Sequence, residues 1–345
     1  MSVESILHPA QATKRNLREF LESRGYTPCK HLWNWPRGSL HFHWFNVTDN
    51  LSFDGVEATI FRPSEDPHKL GTCEWALHTR TRSSGSRADK VEQNETIRQA
   101  KARFGGNFYN DWGARNRHSA EPPEHRDAAS RGLYLAYEIV REHLIAVSTS
   151  LPPESESFAK LEAAGMGALM QSDPSRVLFN ALVPFAVASL EGFFSRAFVI
   201  LIRYDAAAQG YLRAQTRKID FEDVVAISRG ERTLEDVVAS WYSFQNIGSI
   251  QKAFSEWLGL DFRRLLREAS NRPPGSAPLD DTLSEIIRRR HRIIHELDLD
   301  FNMRRDHVVA TMDDARSVID AFIDHLEEVR GMVIRDETVF QLMDE

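Results

Sequence analysis

The chain has 345 residues, enough for two domains of ordinary size, each with its own core. Fifty acidic against 43 basic residues give a formal net charge of -7 at pH 7, which excludes coating of nucleic acid by bulk electrostatics and leaves only local cationic contacts. Two cysteines, Cys29 and Cys73, are too few for a disulfide framework and wrongly spaced for a thiolate zinc site, so a reducing, cytoplasmic setting is expected.

The first residues, MSVESILHPAQATKRN, hold no apolar run of signal-peptide length, and the acidic C-terminus carries no lipidation box, so neither export nor anchoring is expected. Leu17, Phe20 and Leu21 recur at helical spacing within residues 10 to 24, and Gly25 stops that helix. Three stretches then favour strands: LHFHWFNV from Leu40, GVEATIFRP from Gly55 and TCEWALHTRTR from Thr72. Turn-forming residues separate them, which predicts a small antiparallel meander. A helix is expected from Asp89 to Arg103, with Gly105 and Gly106 as its stop; no Lys-Ser or Lys-Thr pair follows to make a phosphate loop. A polar, aromatic loop (NFYNDWGARNRHSAEPPEH) leads to a longer helix from Arg126 to about Val147. Strand alternation sets His78, Arg80 and Arg82 on one face, and the following loop adds Tyr109, Trp112, Arg115 and Arg117. Cations mixed with aromatics suit RNA contacts, and equally suit a solvated sheet face beside an ordinary loop.

These elements make residues 1–150 an α+β domain, a sensing or regulatory module by analogy only. STSLPPESESF, from Ser148 to Phe158, has the composition of a solvated linker, so 151–172 is expected to connect to a second domain over 173–345. There Asp173 and Pro174 form a helix start, and the apolar helix that follows is expected to kink at Pro184. Pro184, Glu191 and Arg196 interrupt its apolar run too often for a membrane span, so it reads as a buried helix of a soluble domain. Further helical periodicity covers about 219–228, 232–246, 249–269, 281–297 and 311–334, with a loop at SNRPPGSAPLDD. Short connections favour an up-and-down bundle of four or five helices.

TLSEIIRRRHRIIHELDLD carries the chemistry. Leu283, Ile286, Ile287, Ile293, Ile294 and Leu297 form an apolar stripe, and Arg290 falls within it, while Arg288, Arg289 and Arg292 project to the flanks. A buried guanidinium requires a carboxylate, a phosphate or a wet cleft, and Glu191, inside the most apolar helix, is the expected partner. His291 and His295, four residues apart, share one edge of the helix. An imidazole moves protons near neutral pH and an arginine neutralises a pentacovalent phosphate, which are the two requirements of RNA cleavage by the ribose 2′-hydroxyl. Arg289 and Arg292 are candidate RNA contacts. The two histidines lack both the HExxH order and a third ligand, so neither metal nor cofactor is expected. The competing interpretation is a purely structural ion pair. Straight α-helix would also set Arg290 and His295 about 140° apart, awkward for one phosphate.

The segment from Arg290 to His295 resembles the arginine, four to six residues, histidine motif of the HEPN superfamily. SLEGFFSR similarly resembles that family's first long helix, with Glu191 at the supporting acidic position. The resemblance implies a HEPN-like helical bundle and a homodimer whose two motifs face a shared RNA cleft. It also implies a metal-independent endoribonuclease acting as a toxin, abortive-infection or other anti-phage effector. The alternative that it equally implies is a catalytically silent dimerisation or nucleotide-binding module.

Overall fold

The computed structural model describes residues 2–30, 35–63, 73–121, 126–154, 156–166, 173–269 and 277–335. They form two compact units, one ending at Ala128 and the other beginning at Ala129.

The first unit is α+β. Its strands are β1 (Ser2–His8), β2 (Thr27–Pro28), β3 (Leu40–Trp44), β4 (Val56–Phe61), β5 (Ala76–Arg82) and β6 (Asn107–Asn110), with α1 (Lys14–Ser23) and α2 (Arg87–Phe104) between them. All pairings are antiparallel, in the order β2-β3-β4-β5-β1-β6. The expected meander is therefore present as β3, β4 and β5, and three further strands extend it. Strand β1 inserts between β5 and β6 although it buries only Ser5, Leu7 and His8, so it offers no apolar alternation to read. Strand β6 opens the stretch expected to be loop; Asn110 Oδ1 then accepts the backbone N–H of Trp112 and Ala114 to shape its turn.

The helices pack on one sheet face. Leu17, Phe20 and Leu21 of α1 and Ile97, Ala100 and Phe104 of α2 meet Leu7, Phe42, Ala58, Ile60, Leu77 and Phe108. Thr13 and Ser86 cap the two helices through reciprocal hydrogen bonds with Asn16 and Asp89. Gly105 ends α2 as expected, and Gly106 does more: at φ +87° its missing Cβ would lie 2.0 Å from the carbonyl oxygen of His8. Gly106→Ala is therefore expected to destabilise the first unit by about 3 kcal/mol in equilibrium denaturation. A loss under about 0.5 kcal/mol would show that this turn is not tight.

The second unit begins earlier than expected. Helix α3 (Ala128–Thr149) turns Ala129, Leu133, Ala136, Val140 and Leu144 into the helical core, so it belongs there and not with the sheet. The boundary moves to residue 128 for that reason, and the expected linker contains a short helix, α4 (Glu156–Ala163). Parts of the linker, residues 155 and 167–172, lie outside the described residues, as do 270–276 of the SNRPPGSAPLDD loop.

The rest of the second unit is helical: α5 (Pro174–Tyr204), α6 (Ala206–Arg213), α7 (Phe221–Ser228), α8 (Leu234–Ala239), α9 (Ile247–Leu258), α10 (Phe262–Glu268), α11 (Leu279–His291) and α12 (Arg305–Arg330). These are more numerous and shorter than an up-and-down bundle of four or five. The stretch 249–269 breaks at Gly259, in the left-handed region, where Asp261 caps α10. Helix α5 starts at the Asp173 cap, runs on through Pro184, and packs on α6, α8, α9, α11 and α12. Phe194 sits at its centre, edge-on to Phe254, Phe262 and Phe322. Among the described helices, α5 alone is long and apolar enough to cross a membrane; 56% of its most apolar window is buried, as in a core helix.

Candidate functional site

Helix α11 carries Asp280 and Asp281 in its first turn, which suits its dipole, and buries Leu279, Leu283 and Ile286 against α5 and α12. Its last turn changes character. Arg292–Glu296 is a π-helical turn, ended by Leu297 in the left-handed region at φ 53°. Hydrogen bonds closing five residues back widen the turn to roughly 85–90° per residue, which cuts the angle between Arg290 and His295 from about 140° to about 100°. The rings of His291 and His295 come within 4.6 Å of each other, and both are exposed. The same turn keeps Ile293 inside and rotates Ile294 and Leu297 out, so the apolar stripe ends earlier than its helical spacing predicts.

The inward arginine is Arg289, not Arg290. Its side chain is only 14% exposed, donates to Asn180 Oδ1 at 2.6 Å and pairs with Asp298 at 3.4 Å. Arg289 and Arg290 straddle the stripe, and the guanidinium that goes in is the one with buried acceptors waiting. Asn180, fully buried on α5, uses its whole amide: Nδ2 donates to the carbonyls of Arg176 and Asp300, and Oδ1 accepts from Arg289 and from the backbone N–H of Asp300. Buried Arg176 donates to the Met303 carbonyl at 2.5 Å and lies 3.5 Å from Asp173. Together they tie the segment after the π-turn to α5. Arg289 is thus a strut, and Arg292, near Asp298 and Glu285, is partly neutralised.

Arg290 is half-buried and lines a cavity of about 200 Å³ with Pro184, Phe185, Val187, Glu191 and Ile294. The expected partners therefore share a cavity, yet no ion pair joins Arg290 to Glu191 among the described residues. The Glu191 carboxylate accepts from Gln245 Nε2 at 3.0 Å instead, and Arg290 is wet enough to do without a carboxylate. Phe185 and Ile294 of this cavity are exposed, and so are Val177 and Leu178 on α5 and Leu297 after the π-turn. The exposure of these side chains and the Asn180 network were absent from the sequence reading. Asn180 was the available signal, a lone amide amid LFNAL on the most apolar helix.

The cations of β5 lie in the first unit. His78 is buried, hydrogen-bonded to Glu4 at 3.0 Å and covered by the Trp35 ring. Arg80 lies between Glu4 and Glu57, and Arg82 beside Asp54. They do share a face, as alternation requires, but carboxylates match them and Trp35 shields His78 from solutes.

The His78 hydrogen bond holds the Glu4 carboxyl at about 2, aided by its charge, Ser2 and Arg80 and opposed by burial. A depressed carboxyl stabilises the fold above the ordinary value of 4.5, and this contribution fades as pH falls towards about 2. Glu4→Gln is expected to cost about 1 kcal/mol at pH 7, solvent screening of the part-exposed carboxylate having trimmed the effect. The gap between urea titrations of the two proteins should begin to narrow below pH 4.5 and close towards about pH 2; a gap independent of pH would contradict the ion pair.

Among the described residues no cluster of three or more His, Cys, Asp or Glu side chains is arranged to hold a metal ion. No protein-family model, no curated protein and no solved structure matches the chain.

Proposed function

We propose that the second unit is a HEPN-like domain and that the chain is a metal-independent endoribonuclease, with Arg290 and His295 as its catalytic pair. The observation that carries this reading is the combination at the end of α11. A half-buried arginine with no ion pair among the described residues lines a cavity, and two residues further on begins a π-turn that carries His295, whose ring lies 4.6 Å from that of His291. π-turns inside helices often accompany functional sites.

In the proposed reaction a histidine takes the proton from a ribose 2′-hydroxyl, the 2′-oxygen attacks phosphorus, and the bond from phosphorus to the 5′-oxygen breaks. A second imidazole, His291 or a histidine from another copy, returns a proton to that 5′-oxygen, leaving a 2′,3′-cyclic phosphate and a 5′-hydroxyl. Arg290 holds the non-bridging oxygens through the transition state. Arg292 is the remaining candidate for a further RNA contact.

Exposed Phe185 and Ile294 at the cavity support a homodimer, since exposed apolar side chains beside a site mark an interface. Pairing through them would bring two arginine-histidine sets across one cleft. The toxin or anti-phage role, a cytoplasmic setting and a sensing role for the first unit rest on the resemblance and on composition. One observation favours the silent dimerisation module: His295 makes no hydrogen bond to a group that would orient it among the described side chains.

The test is incubation of purified chain with total cellular RNA in excess chelator, beside His295→Ala. Fragmentation in chelator that the variant lacks supports the nuclease. Intact RNA with both proteins supports the silent module, and cleavage that chelator abolishes contradicts the metal-independent mechanism.

A further inference from the structure

The cavity at Arg290 adjoins a larger one, of about 530 Å³, and both are lined by Ala188 and Glu191. Together they line α5 from Pro184 to Val199, about 22 Å at 1.5 Å per residue, enough for a nucleotide and its neighbour. The larger one has a floor of small side chains, Gly192 and Ser195, and a Cβ placed on Gly192 would meet nothing within 4 Å. Tyr242 and Phe244 make an apolar wall. Its other charged groups are occupied: Arg232 pairs with Asp223, and Asp236 closes the capping box of α8.

Glu191 differs. Gln245 Nε2 donates to one carboxylate oxygen, and the second oxygen takes no hydrogen bond among the described residues. Glu191 therefore lines both cavities with one carboxylate oxygen left open to a donor group of a ligand.

We propose that Glu191 reads the base of the nucleotide whose phosphate Arg290 holds, and that the base it selects is guanine. This rests on the reading of Arg290 as the phosphate-binding cation. The choice follows from donor patterns on the Watson–Crick edge. Guanine presents N1–H and the 2-amino group side by side, which one carboxylate accepts together. Adenine and cytosine each set a single amino donor beside a ring nitrogen acceptor, which repels the second carboxylate oxygen. Uracil offers one N–H between two carbonyls. The apolar wall fits a flat ring, and the small floor leaves the ring room to lie on α5.

Calorimetric titration of the full chain with guanosine, inosine and adenosine 3′,5′-bisphosphates tests this without requiring cleavage, because these offer a phosphate on either side of the ribose. The guanosine compound is expected to bind at least tenfold more tightly than the adenosine one, with inosine, which lacks the 2-amino group, between them. Glu191→Gln should level the three, whereas Arg290→Ala should weaken all of them alike. Circular dichroism of both variants checks that they are folded. Equal binding of guanosine and adenosine compounds by the unmodified chain, or a preference that survives in folded Glu191→Gln, overturns the proposal. Chelator-resistant RNA cleavage whose base preference ignores Glu191→Gln removes the base reader and leaves the nuclease standing. Guanosine-selective binding without cleavage removes the nuclease and keeps the base site.

Discussion

Asn180→Ala is expected to lower the stability of the helical unit by about 4 kcal/mol, the largest effect of any single truncation near the site. The substitution removes four hydrogen bonds at once. The Arg289 guanidinium loses its 2.6 Å acceptor and keeps only Asp298, the Asp300 N–H loses its own acceptor, and the carbonyls of Arg176 and Asp300 each lose a donor, around a fully buried side chain. Each neutral hydrogen bond contributes about 1 kcal/mol, and a buried charge left short of a partner costs more than that. Asn180→Asp should be milder, at about 2 kcal/mol, because a carboxylate keeps the contact with Arg289 and loses only the two donors. Urea denaturation followed by circular dichroism reads both. A loss below about 1 kcal/mol for the alanine variant would mean that the segment after the π-turn is held by something other than this amide.

The second large effect separates two neighbouring arginines. Arg290→Ala is expected to slow RNA cleavage by about 10²–10³, the usual result of removing one group that stabilises transition-state charge. It should change stability by less than about 0.5 kcal/mol, since Arg290 makes no ion pair among the described residues. Arg290→Lys should recover part of the rate, a point charge replacing a fork that grips two oxygens. Arg289→Ala should do the opposite, costing about 2–3 kcal/mol of stability by emptying a buried, hydrogen-bonded position. Rates from single-turnover assays and midpoints from urea titration, taken on the same preparations, decide the matter. If Arg289→Ala left the fold intact and abolished cleavage while Arg290→Ala did neither, the roles assigned to the two would be exchanged.

The two arginines also show where sequence reasoning reaches its limit. Periodicity identified α11 and the first part of its apolar stripe, Leu283 and Ile286, because burial of one helix face writes a 3.6-residue pattern into the chain. It chose the wrong arginine to place inside. Two adjacent residues straddling a stripe are equivalent on a helical wheel, and what distinguishes them is the acceptor opposite, Asn180, more than 100 positions away. The π-turn was equally invisible: nothing in RIIHE marks a change from four-residue to five-residue bonding, although that change sets the direction of His295.

Elsewhere, strongly coded features were legible. Asp173 with Pro174, the end of α2 at Gly105, and strands β3, β4 and β5 all carry local chemistry that acts within a few residues. Strand β1 was not, because its place between β5 and β6 is set by long-range pairing and its own residues are mostly polar. The unit boundary differs because the Ser, Pro and Glu bias marks only a local change of composition, whereas the apolar stripe of α3 packs into the helical core.

The most direct test of the nuclease is the chemistry of the cut ends. A single-stranded RNA oligonucleotide incubated with the chain in excess chelator, its products resolved by mass spectrometry, should yield 2′,3′-cyclic phosphates and 5′-hydroxyls. Neither should form with His295→Ala or with an RNA whose 2′-hydroxyls are methylated. Intact RNA under these conditions, or products bearing 5′-phosphates that require an added divalent metal, would contradict the account.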